Sequence, residues 1–349
     1  MYNFEIINLN NINEKEYYKF KEKCLFTTKE WLNYIMINQN AKPFIIRITY
    51  KEKFIGYFTA CIFSKFGIKI VASPFNGWTT GYMGFDVIDE VNKVDLIQPI
   101  AKFIFKNFKC MYIQISDRFI LEDDIKKENF NYFMNKSIEL YINRTNEELF
   151  KIFKTDCRNF IRQFERRGAK IEIAQANKEF ANEYYEQLKE VFAKQGLVPT
   201  YSIEKVIDLF QCLNDDQILC LRVRNPDGKC IATTIFVGYN KRFYFWGAAS
   251  YREFQFYRPN EYMIWFAIKY FRDKGYEYFD MYGERPYKNK FGPEKIEYPC
   301  IMITKFKFLI KLREYAKKLV WLRFRLKGIR KKRNVGQTKI YKENSKVEV

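Results

Sequence analysis

The first part of the chain switches between segments of helical and strand-like periodicity, which predicts an α/β fold. Short polar turns separate neighbouring apolar runs, as at residues 51–53, so hairpins are expected there. Thr27 or Thr28 is the expected N-cap of the second helix. Helices are predicted at residues 14–24, 28–36 and 94–107, and strands at residues 44–50, 54–63, 68–72, 111–115 and 137–142.

The second part begins with an amphipathic pattern over residues 145–168, which predicts one long helix. Thr145 is its expected N-cap and Gly168 its expected C′ residue. The pattern then alternates again between the two periodicities. Further helices are predicted at residues 178–194, 202–213 and 260–274, and strands at residues 171–174, 218–223, 230–239, 242–249, 277–281 and 299–304.

The two parts share a local pattern that predicts an internal duplication. Each contains a strand, a charged turn and a second strand in which a small residue follows Ile, at Ile55-Gly56 and at Ile231-Ala232. A segment rich in Gly and aromatic residues follows in both, at residues 78–85 and 246–251. We therefore predict two related α/β domains that share a cleft, at residues 1–144 and 145–304, followed by a basic segment at residues 305–349.

The composition excludes several classes of enzyme. The chain has no histidine, which removes Ser-His-Asp and Cys-His catalysis and most catalytic zinc sites. Its eight cysteines form no C-x-x-C pair and most lie in apolar segments, as expected for reduced thiols in a cytoplasmic protein. No apolar run approaches the roughly 18 residues of a membrane span, and no signal peptide is recognisable. We expect a protein that is soluble or bound at a surface.

The net charge of +20 is concentrated near the C-terminal end of the sequence. Residues 305–333 contain thirteen Lys and Arg residues against the single acid Glu314. Residues 306–326 place apolar side chains on one face of a predicted helix and most of the basic ones opposite. Three interpretations stay open: contact with an anionic membrane surface, binding to RNA, or a helix that packs on the preceding domain.

The segment YFDMYGERPYKNKFGPE, residues 278–294, is the strongest candidate for chemistry. A buried type of strand ends near Gly283, and a polar loop with several charged residues follows. Loops that follow strands often carry the chemistry of α/β enzymes, and a lysine held there can stabilise an oxyanion or bind an anionic substrate. Asp280 and Glu284 are the candidate bases, although Asp280 also fits a structural role at the strand end. The alternative for the whole loop is a solvated charged turn.

Several motifs, taken in order, resemble one known family. They are R-N-F-I-R-x-x-x-x-R-G at residues 158–168, the helix at residues 259–275, Y-F-D-M-Y-G at residues 278–283 and Y-K-N-K-F-G at residues 287–292. The set resembles the Fem-like transferases, tandem GNAT-fold proteins that include peptidoglycan aminoacyltransferases and acyltransferases of polysaccharide biosynthesis. It covers residues 145–304, and the first part matches more loosely through Trp31, the hairpin and the S-P-F loop. The resemblance implies two GNAT-like domains, with mixed central sheets flanked by helices.

The resemblance also implies roles for individual residues. Lys288 stands at the family's lysine, expected near the acyl carbonyl, and Tyr287 replaces the usual phenylalanine beside it. Arg158 matches an arginine expected to contact a phosphorylated substrate, and Arg162 lies one helical turn further on the same face. Two guanidinium groups there fit diphosphate recognition, while a solvated helix face is the alternative. Trp78 and Tyr251, from the two aromatic segments, are the expected walls of the substrate cleft.

The implied reaction is transfer of an acyl or aminoacyl group to an amine of a peptidoglycan or surface-polysaccharide precursor. The acceptor would be a nucleotide- or lipid-linked amino sugar or muropeptide, attacking directly in a ternary complex without a tightly bound cofactor or metal. FQFYRPNEY replaces the Q/R-x-x-G-x-G/A loop of coenzyme-A-dependent GNAT enzymes, so both acyl-CoA and aminoacyl-tRNA stay open as donors.

The expected location is the cytoplasm, with peripheral contact to the inner face of the plasma membrane through residues 305–333. The alternative function is a non-catalytic nucleic-acid-binding protein that uses its basic tail. This alternative leaves the ordered motifs of residues 145–304 without an explanation.

Overall fold

A computed structural model describes residues 1–65, 67–194, 196–306, 308–310 and 315. Within these residues thirteen strands form one mixed sheet with helices packed against it, which confirms the predicted α/β class. None of the helices in these ranges is long and apolar enough to cross a membrane. Most of the predicted basic helix at residues 306–326, and most of the segment 305–349, lie outside the described residues.

The first half, residues 1–144, contains most of the predicted elements and three that the pattern did not predict. The additional elements are the first and fifth strands and a short fourth helix. In chain order the elements are β1 (Tyr2–Ile7), α1 (Glu14–Tyr17), α2 (Lys29–Gln39), β2 (Lys42–Tyr50), β3 (Lys53–Lys65), β4 (Ile68–Ser73), β5 (Gly84–Val87), α3 (Lys93–Phe108), β6 (Tyr112–Ser116), α4 (Glu122–Lys127) and β7 (Asn131–Tyr141).

The second half, residues 145–304, follows the predicted order closely. Its last strand is longer than predicted and begins before Pro299. The elements are α5 (Asn146–Ile152), α6 (Thr155–Arg166), β8 (Lys170–Ala174), α7 (Lys178–Ala193), α8 (Ile203–Cys212), β9 (Ile218–Arg224), β10 (Cys230–Tyr239), β11 (Arg242–Ser250), α9 (Pro259–Asp273), β12 (Tyr278–Asp280) and β13 (Glu294–Thr304).

Apart from β5 and α4 in the first half and α5 and α6 at the start of the second, the two halves repeat one order of elements: a strand, two helices, three strands, a helix and two strands. Twelve of the strands follow the order β1-β2-β3-β4-β6-β13-β7-β12-β11-β10-β9-β8, which reads as the same series from both ends, and β5 pairs with β3 off this path. The last strands are exchanged, because β13 pairs with β6 of the first half and β7 pairs with β12 of the second. The repeat agrees with the predicted duplication, while the boundaries at residues 144 and 304 stay predictions.

Apolar packing joins the halves on one face of the sheet. A cluster of buried side chains contains Trp31 and Tyr57 of the first half together with Tyr184 and Ile235 of the second, all at most 1% exposed. Helix α2 packs against α8 within this cluster. Burial of each large apolar side chain stabilises the fold by roughly 1.5–3 kcal/mol. The halves are therefore held by a shared core as well as by a shared sheet.

The long helix predicted for residues 145–168 is wrong, because the chain forms two helices that meet at Phe153. Phe153 has an extended backbone with ψ 139°, and its ring is buried against Phe291 with ring centres 5.3 Å apart. The amide of Lys154 donates to the carbonyl of Lys290 at 2.8 Å instead of continuing the helix. The predicted ends are confirmed: Thr145 forms a capping box, and Gly168 follows α6 with φ 77°.

The helix predicted for residues 14–24 is also too long, since α1 ends at Tyr17. Lys23 is 2% exposed, forms an ion pair with Asp86 at 2.7 Å and lies over the ring of Tyr17. These tertiary contacts fix the path of the chain after Tyr17 and end the helix there. No local sequence pattern predicts them. The predicted cap of α2 is confirmed at Thr28, whose side chain accepts from the amide of Trp31.

Candidate active site

Strands β11 and β12 run parallel but pair over a short distance only. The paired residues of β11 are Arg242, Phe243 and Tyr244, which face residues 278–280 of β12. Beyond Tyr244, β11 continues to Ser250, whereas β12 has ended. In the described residues the edge of β11 from Phe245 onward therefore has no strand partner on the β12 side. A backbone edge of this kind offers hydrogen-bonding groups to a ligand.

The chain reverses immediately after β12 in a turn with left-handed backbone. Tyr282 has φ 55° and Gly283 has φ 71°, and the first value is unfavourable for a residue with a side chain. Asp280 stabilises this turn, because its Oδ1 accepts from the amide of Tyr282 at 2.9 Å and from the hydroxyl of Ser137 at 2.6 Å. We call residues 281–288 the lysine turn.

Lys288 lies inside this turn and is 4% exposed. Its ammonium group donates to the backbone carbonyls of Met281, Tyr282 at 2.8 Å and Gly283 at 3.4 Å. These three acceptors match the three donors of an ammonium group. Its Nζ also lies 5.1 Å from the centre of the Phe245 ring, beside the free edge of β11. The sequence predicted a lysine in a loop, and the structure places Lys288 in a buried carbonyl cage.

Burial lowers the pKa of Lys288 from the ordinary 10.5 to about 8, because the charged form loses hydration. The negative charge of Asp280 opposes this change, and the positive charge of Arg285 adds to it. A lysine with this pKa is a mixture of cationic and neutral forms within about one pH unit of 8. Perturbed groups of this kind are concentrated at functional sites.

The first half contributes the loop between β4 and β5 to the surroundings of the lysine turn. The hydroxyl of Tyr282 donates to the carbonyl of Thr79 at 3.1 Å, and that of Tyr298 donates to the carbonyl of Gly81 at 3.2 Å. Trp78 belongs to the same loop and is partly buried, with its ring 5.2 Å from that of Phe63. The predicted aromatic wall thus lies next to the turn, although the Trp78 ring packs on its own half.

The other site residues predicted in and next to the lysine turn differ in exposure. Tyr287 is 48% exposed at the rim, with its ring centre 5.8 Å from Nζ of Lys288. Glu284 is exposed and forms an ion pair with Lys295 at 3.0 Å. Asp280 is 4% exposed, and both of its oxygens accept hydrogen bonds. Of the two candidate bases, Asp280 is an orienting group in this geometry and Glu284 is a surface carboxylate.

Arg158 and Arg162 are both in α6 but make different contacts. Arg158 donates to the carbonyls of Phe150 at 3.0 Å and Phe153 at 2.8 Å, so it binds the last carbonyls of α5. Arg162 is exposed. The hydrogen bond from the amide of Lys154 to the carbonyl of Lys290 ties the start of α6 to the segment that follows the lysine turn. Helix α6 is therefore adjacent to the segment that carries Lys288 and Lys290. The Arg158 guanidinium, however, binds backbone carbonyls of the protein and does not point to a free site.

Tyr251 follows the last residue of β11, at the far end of the free edge. Its amide donates to the carbonyl of Ile231 at 3.1 Å, and its ring lies 5.5 Å from Nζ of Lys229. The ring is partly buried, and desolvation, followed by the charge of Glu190, raises its pKa. Tyr251 and Lys288 therefore stand at opposite ends of the unpaired edge of β11.

A buried charge network beneath the lysine turn was not predicted. Arg118 is 6% exposed and donates to both oxygens of Glu139, at 2.9 and 3.0 Å, and to Asp280 at 3.4 Å. Arg242 donates to Glu139 at 3.2 Å and to Glu22 at 3.0 Å. Burial raises the pKa of Glu139, although the charges of both arginines oppose this. The sequence signal that could have revealed this network is the polar pair Asp117-Arg118, which directly follows the buried strand ending at Ser116.

Two cavities lie away from the lysine turn. One of about 240 Å³ lies between the end of β6 and the start of α3, where Phe119 and Lys93 contribute to its wall. The other, an open depression of about 440 Å³, lies at the start of α5 beside Arg272. Neither is lined by a residue predicted for the site. Within the described residues, the candidate site is built from the unpaired edge of β11 and the lysine turn.

Comparison with known proteins identifies the fold and one domain. Residues 152–289 match the Acetyltransferase (GNAT) domain family. The structure is similar to a crystal structure of FemX, with a TM-score of 0.69 and 14% identity over 84% of this chain and 96% of that one. It is also similar to a conserved protein of unknown function from Bacteroides thetaiotaomicron, with a TM-score of 0.58 and 12% identity over 87% of this chain and 100% of that one.

No curated protein sequence is significantly similar to this chain. The family match ends at Asn289 and therefore includes β11, β12 and Lys288, the parts from which the candidate site is built. At these levels of identity the similarity concerns the fold, and it covers both halves of the chain. The chain therefore has a fold similar to that of FemX, and its residues 152–289 match the Acetyltransferase (GNAT) domain family.

Proposed function

We propose that this protein transfers an acyl or aminoacyl group to an amine of a cell-envelope precursor, either of peptidoglycan or of a surface polysaccharide. The observation that carries the proposal is the buried Lys288, beside the unpaired edge of β11 and within the segment that matches the GNAT family. The FemX-like fold of both halves supports the choice of acceptor class.

The proposed reaction begins with the acyl donor lying along the free edge of β11. Its carbonyl oxygen takes the place of the Gly283 carbonyl, which accepts the longest of the hydrogen bonds from Nζ, at 3.4 Å. Lys288 then donates to this oxygen while two backbone carbonyls continue to hold the ammonium group. Stabilisation of the developing oxyanion by a preorganised donor typically contributes about 10²–10³ in rate.

The acceptor amine attacks the carbonyl carbon directly in a ternary complex, and positioning supplies much of the acceleration. A C–N bond forms, and the C–S bond of a thioester or the C–O bond of a tRNA ester breaks. The proton lost by the amine passes to the leaving group, because Asp280 is buried with both oxygens occupied. Glu284, exposed near the rim, is the protein carboxylate that would take this proton if the substrate does not.

Recognition of the acceptor is assigned to residues around the turn. Tyr287 at the rim, Trp78 in the neighbouring loop and Tyr251 at the far end of β11 would contact sugar or acyl portions. Arg162 is exposed on α6 and would bind a diphosphate. Arg158 would contribute mainly by fixing the junction of α5 and α6, since its guanidinium binds backbone carbonyls there.

The donor is acyl-CoA or aminoacyl-tRNA, and the acceptor a nucleotide- or lipid-linked amino sugar or muropeptide. We place the reaction in the cytoplasm, with residues 305–333 holding the protein at the anionic inner face of the plasma membrane. The nucleic-acid-binding alternative depends on the same basic segment, most of which lies outside the described residues. We therefore propose the transferase alone.

A thermal-shift screen tests the proposal, because a ligand that binds only the native state raises the melting temperature. UDP-linked muropeptides, UDP-amino sugars and acyl-CoAs are the probes, each with the native protein and with Lys288→Met. We expect one acceptor class to raise the melting temperature of both proteins, and mass spectrometry to detect acyl transfer that is about 10²–10³ slower with Lys288→Met than with the native protein. Absence of any shift or product across all three classes, and with aminoacyl-tRNA as donor, would contradict the proposal.

A further inference from the structure

Arg118 connects the first half of the molecule to the lysine turn of the second half. It lies two residues after the end of β6 and is 6% exposed. Its guanidinium group binds Glu139 through two hydrogen bonds and reaches Asp280 at 3.4 Å with the same nitrogen that binds one Glu139 oxygen. The geometry is the forked arrangement that arginine forms and lysine does not.

Asp280, the last residue of β12, links Arg118 to the lysine turn. Its other oxygen accepts from the hydroxyl of Ser137 and from the amide of Tyr282. Ser137 is in turn within 3.4 Å of the amide of Gly283. The left-handed backbone at Tyr282 and Gly283 thus depends on a carboxylate whose charge is balanced from the first half. That backbone directs the carbonyls of residues 281–283 to Lys288.

The contact between Arg118 and Asp280 balances a buried negative charge. Asp280 and Glu139 are both buried and face each other across β12 and β7. Arg242 binds Glu139 but is turned toward Glu22 with its other nitrogen. Among the described residues, Arg118 is the cation within ion-pair distance of Asp280. Removing one partner of a buried ion pair leaves an uncompensated charge, which is strongly unfavourable.

We propose that Arg118 is a positioning residue for Lys288, acting through Asp280 to fix the lysine turn, so that the first half controls the geometry of the reaction centre in the second. The inference rests on the proposed function where it concerns the reaction, because Lys288 is the group being positioned. Its structural part, the dependence of the turn on Arg118, holds for any function of the turn.

Hydrogen exchange of the native protein, without any substrate, tests this structural part. In Arg118→Gln the amides of Tyr282 and Gly283 should exchange roughly tenfold faster than in the native protein, because both are held by the Asp280–Ser137 pair. Arg222→Gln is the matched control, since Arg222 is 11% exposed and pairs with Glu172, Glu179 and Glu183. Equal exchange of the two amides in both variants would overturn the proposal.

If Arg118→Gln does not fold in the native protein, the same change can be tested in a variant that already lacks the Asp280 charge. Asp280→Asn retains an oxygen that can accept from Tyr282 and removes the charge that Arg118 balances. Adding Arg118→Gln in that background should change the exchange of the turn by less than about twofold. A further tenfold increase there would show that Arg118 does not act through Asp280 and would overturn the proposal.

Kinetics separates this inference from the proposed function. Once transfer is measured, Arg118→Gln should lower kcat and leave KM of the acceptor unchanged, and Arg118→Lys should recover part of kcat by restoring the charge. Faster exchange without any transferase activity in the native protein would sustain the role of Arg118 and refute the proposed reaction. An unchanged kcat in Arg118→Gln, with activity in the native protein, would refute the positioning role.

Discussion

The hydroxyl groups of Tyr82 and Tyr244 lie 2.7 Å apart, and the two residues come from different halves of the molecule. Both side chains are at most 1% exposed, and burial raises the pKa of each hydroxyl above its ordinary value of 10. The hydrogen bond lies between the aromatic loop of the first half and the paired part of β11. It joins the two halves next to the residues on which the proposed chemistry depends.

The Tyr82–Tyr244 pair predicts a non-additive response to mutation. Tyr82→Phe or Tyr244→Phe alone should lower the free energy of unfolding by about 1–3 kcal/mol, because one hydroxyl stays buried without its partner. The double Phe variant should be destabilised by less than the sum of the single changes. Chemical denaturation measures the cycle, with Tyr50→Phe on the exposed end of β2 as control. Strict additivity would show that the two hydroxyls do not interact.

Replacement of Lys288 by Met should lower the rate of transfer by about 10²–10³, because the oxyanion loses its donor while the apolar stem is retained. Lys295→Met is the control, since Lys295 is exposed and pairs with Glu284 at the surface. Steady-state kinetics and a cooperative unfolding transition are measured for both variants. A Lys288→Met protein with native activity would refute the assignment of Lys288.

The depressed pKa of Lys288 predicts a pH dependence of stability. Below about 8 both the folded and the unfolded state carry the proton, and between about 8 and 10.5 only the unfolded state keeps it. The free energy of unfolding of the native protein should therefore rise with pH across this window relative to Lys288→Met, by up to about 3 kcal/mol. Urea denaturation of both proteins across the window measures the difference. A difference independent of pH would mean that Lys288 has its ordinary pKa when folded.

Two glycines near Lys288 should tolerate alanine to different degrees. Gly292 has φ 67°, and a Cβ there would overlap the side chain of Ile152 and lie 2.9 Å from its carbonyl oxygen. Gly283 has φ 71° with open space around the Cβ position. Gly283→Ala should lower the free energy of unfolding by about 1 kcal/mol from backbone strain, and Gly292→Ala by more, about 3 kcal/mol. Thermal and urea unfolding rank the two variants, and the reverse ranking would contradict the packing at Gly292.

The exchange of strands predicts that residues 145–304 do not fold alone. This fragment lacks β7, which pairs with both β12 and β13, and β6, the other partner of β13. Unpaired buried strand edges carry unsatisfied backbone groups. We expect the fragment to lack a cooperative unfolding transition by circular dichroism, and a fragment that starts at residue 131 to regain part of its protection from exchange. A cooperative transition in the shorter fragment would show that the halves are independent.

Local sequence was sufficient for many elements of the second half because their signals are local. The capping box at Thr145 and the glycine at position 168 act within a few residues of the chain, so the sequence alone predicts where helical structure begins and ends. Periodicity likewise locates β9, β10 and β11. The break at Phe153 has no such local signal, since its cause is packing against Phe291 and a hydrogen bond to Lys290, both distant along the chain.

The sequence by itself determined the class of fold, the duplicated order of elements and the turn that carries Lys288, because periodicity, turn residues and ordered motifs are properties of neighbouring positions. Only the tertiary structure decided that β7 and β13 change places and that Arg118 lies against Asp280. It also decided that the Lys288 ammonium is held by backbone carbonyls. These features depend on which groups, distant along the chain, come together when the sheet forms. Whether the charges of a buried site are balanced is decided only by those contacts.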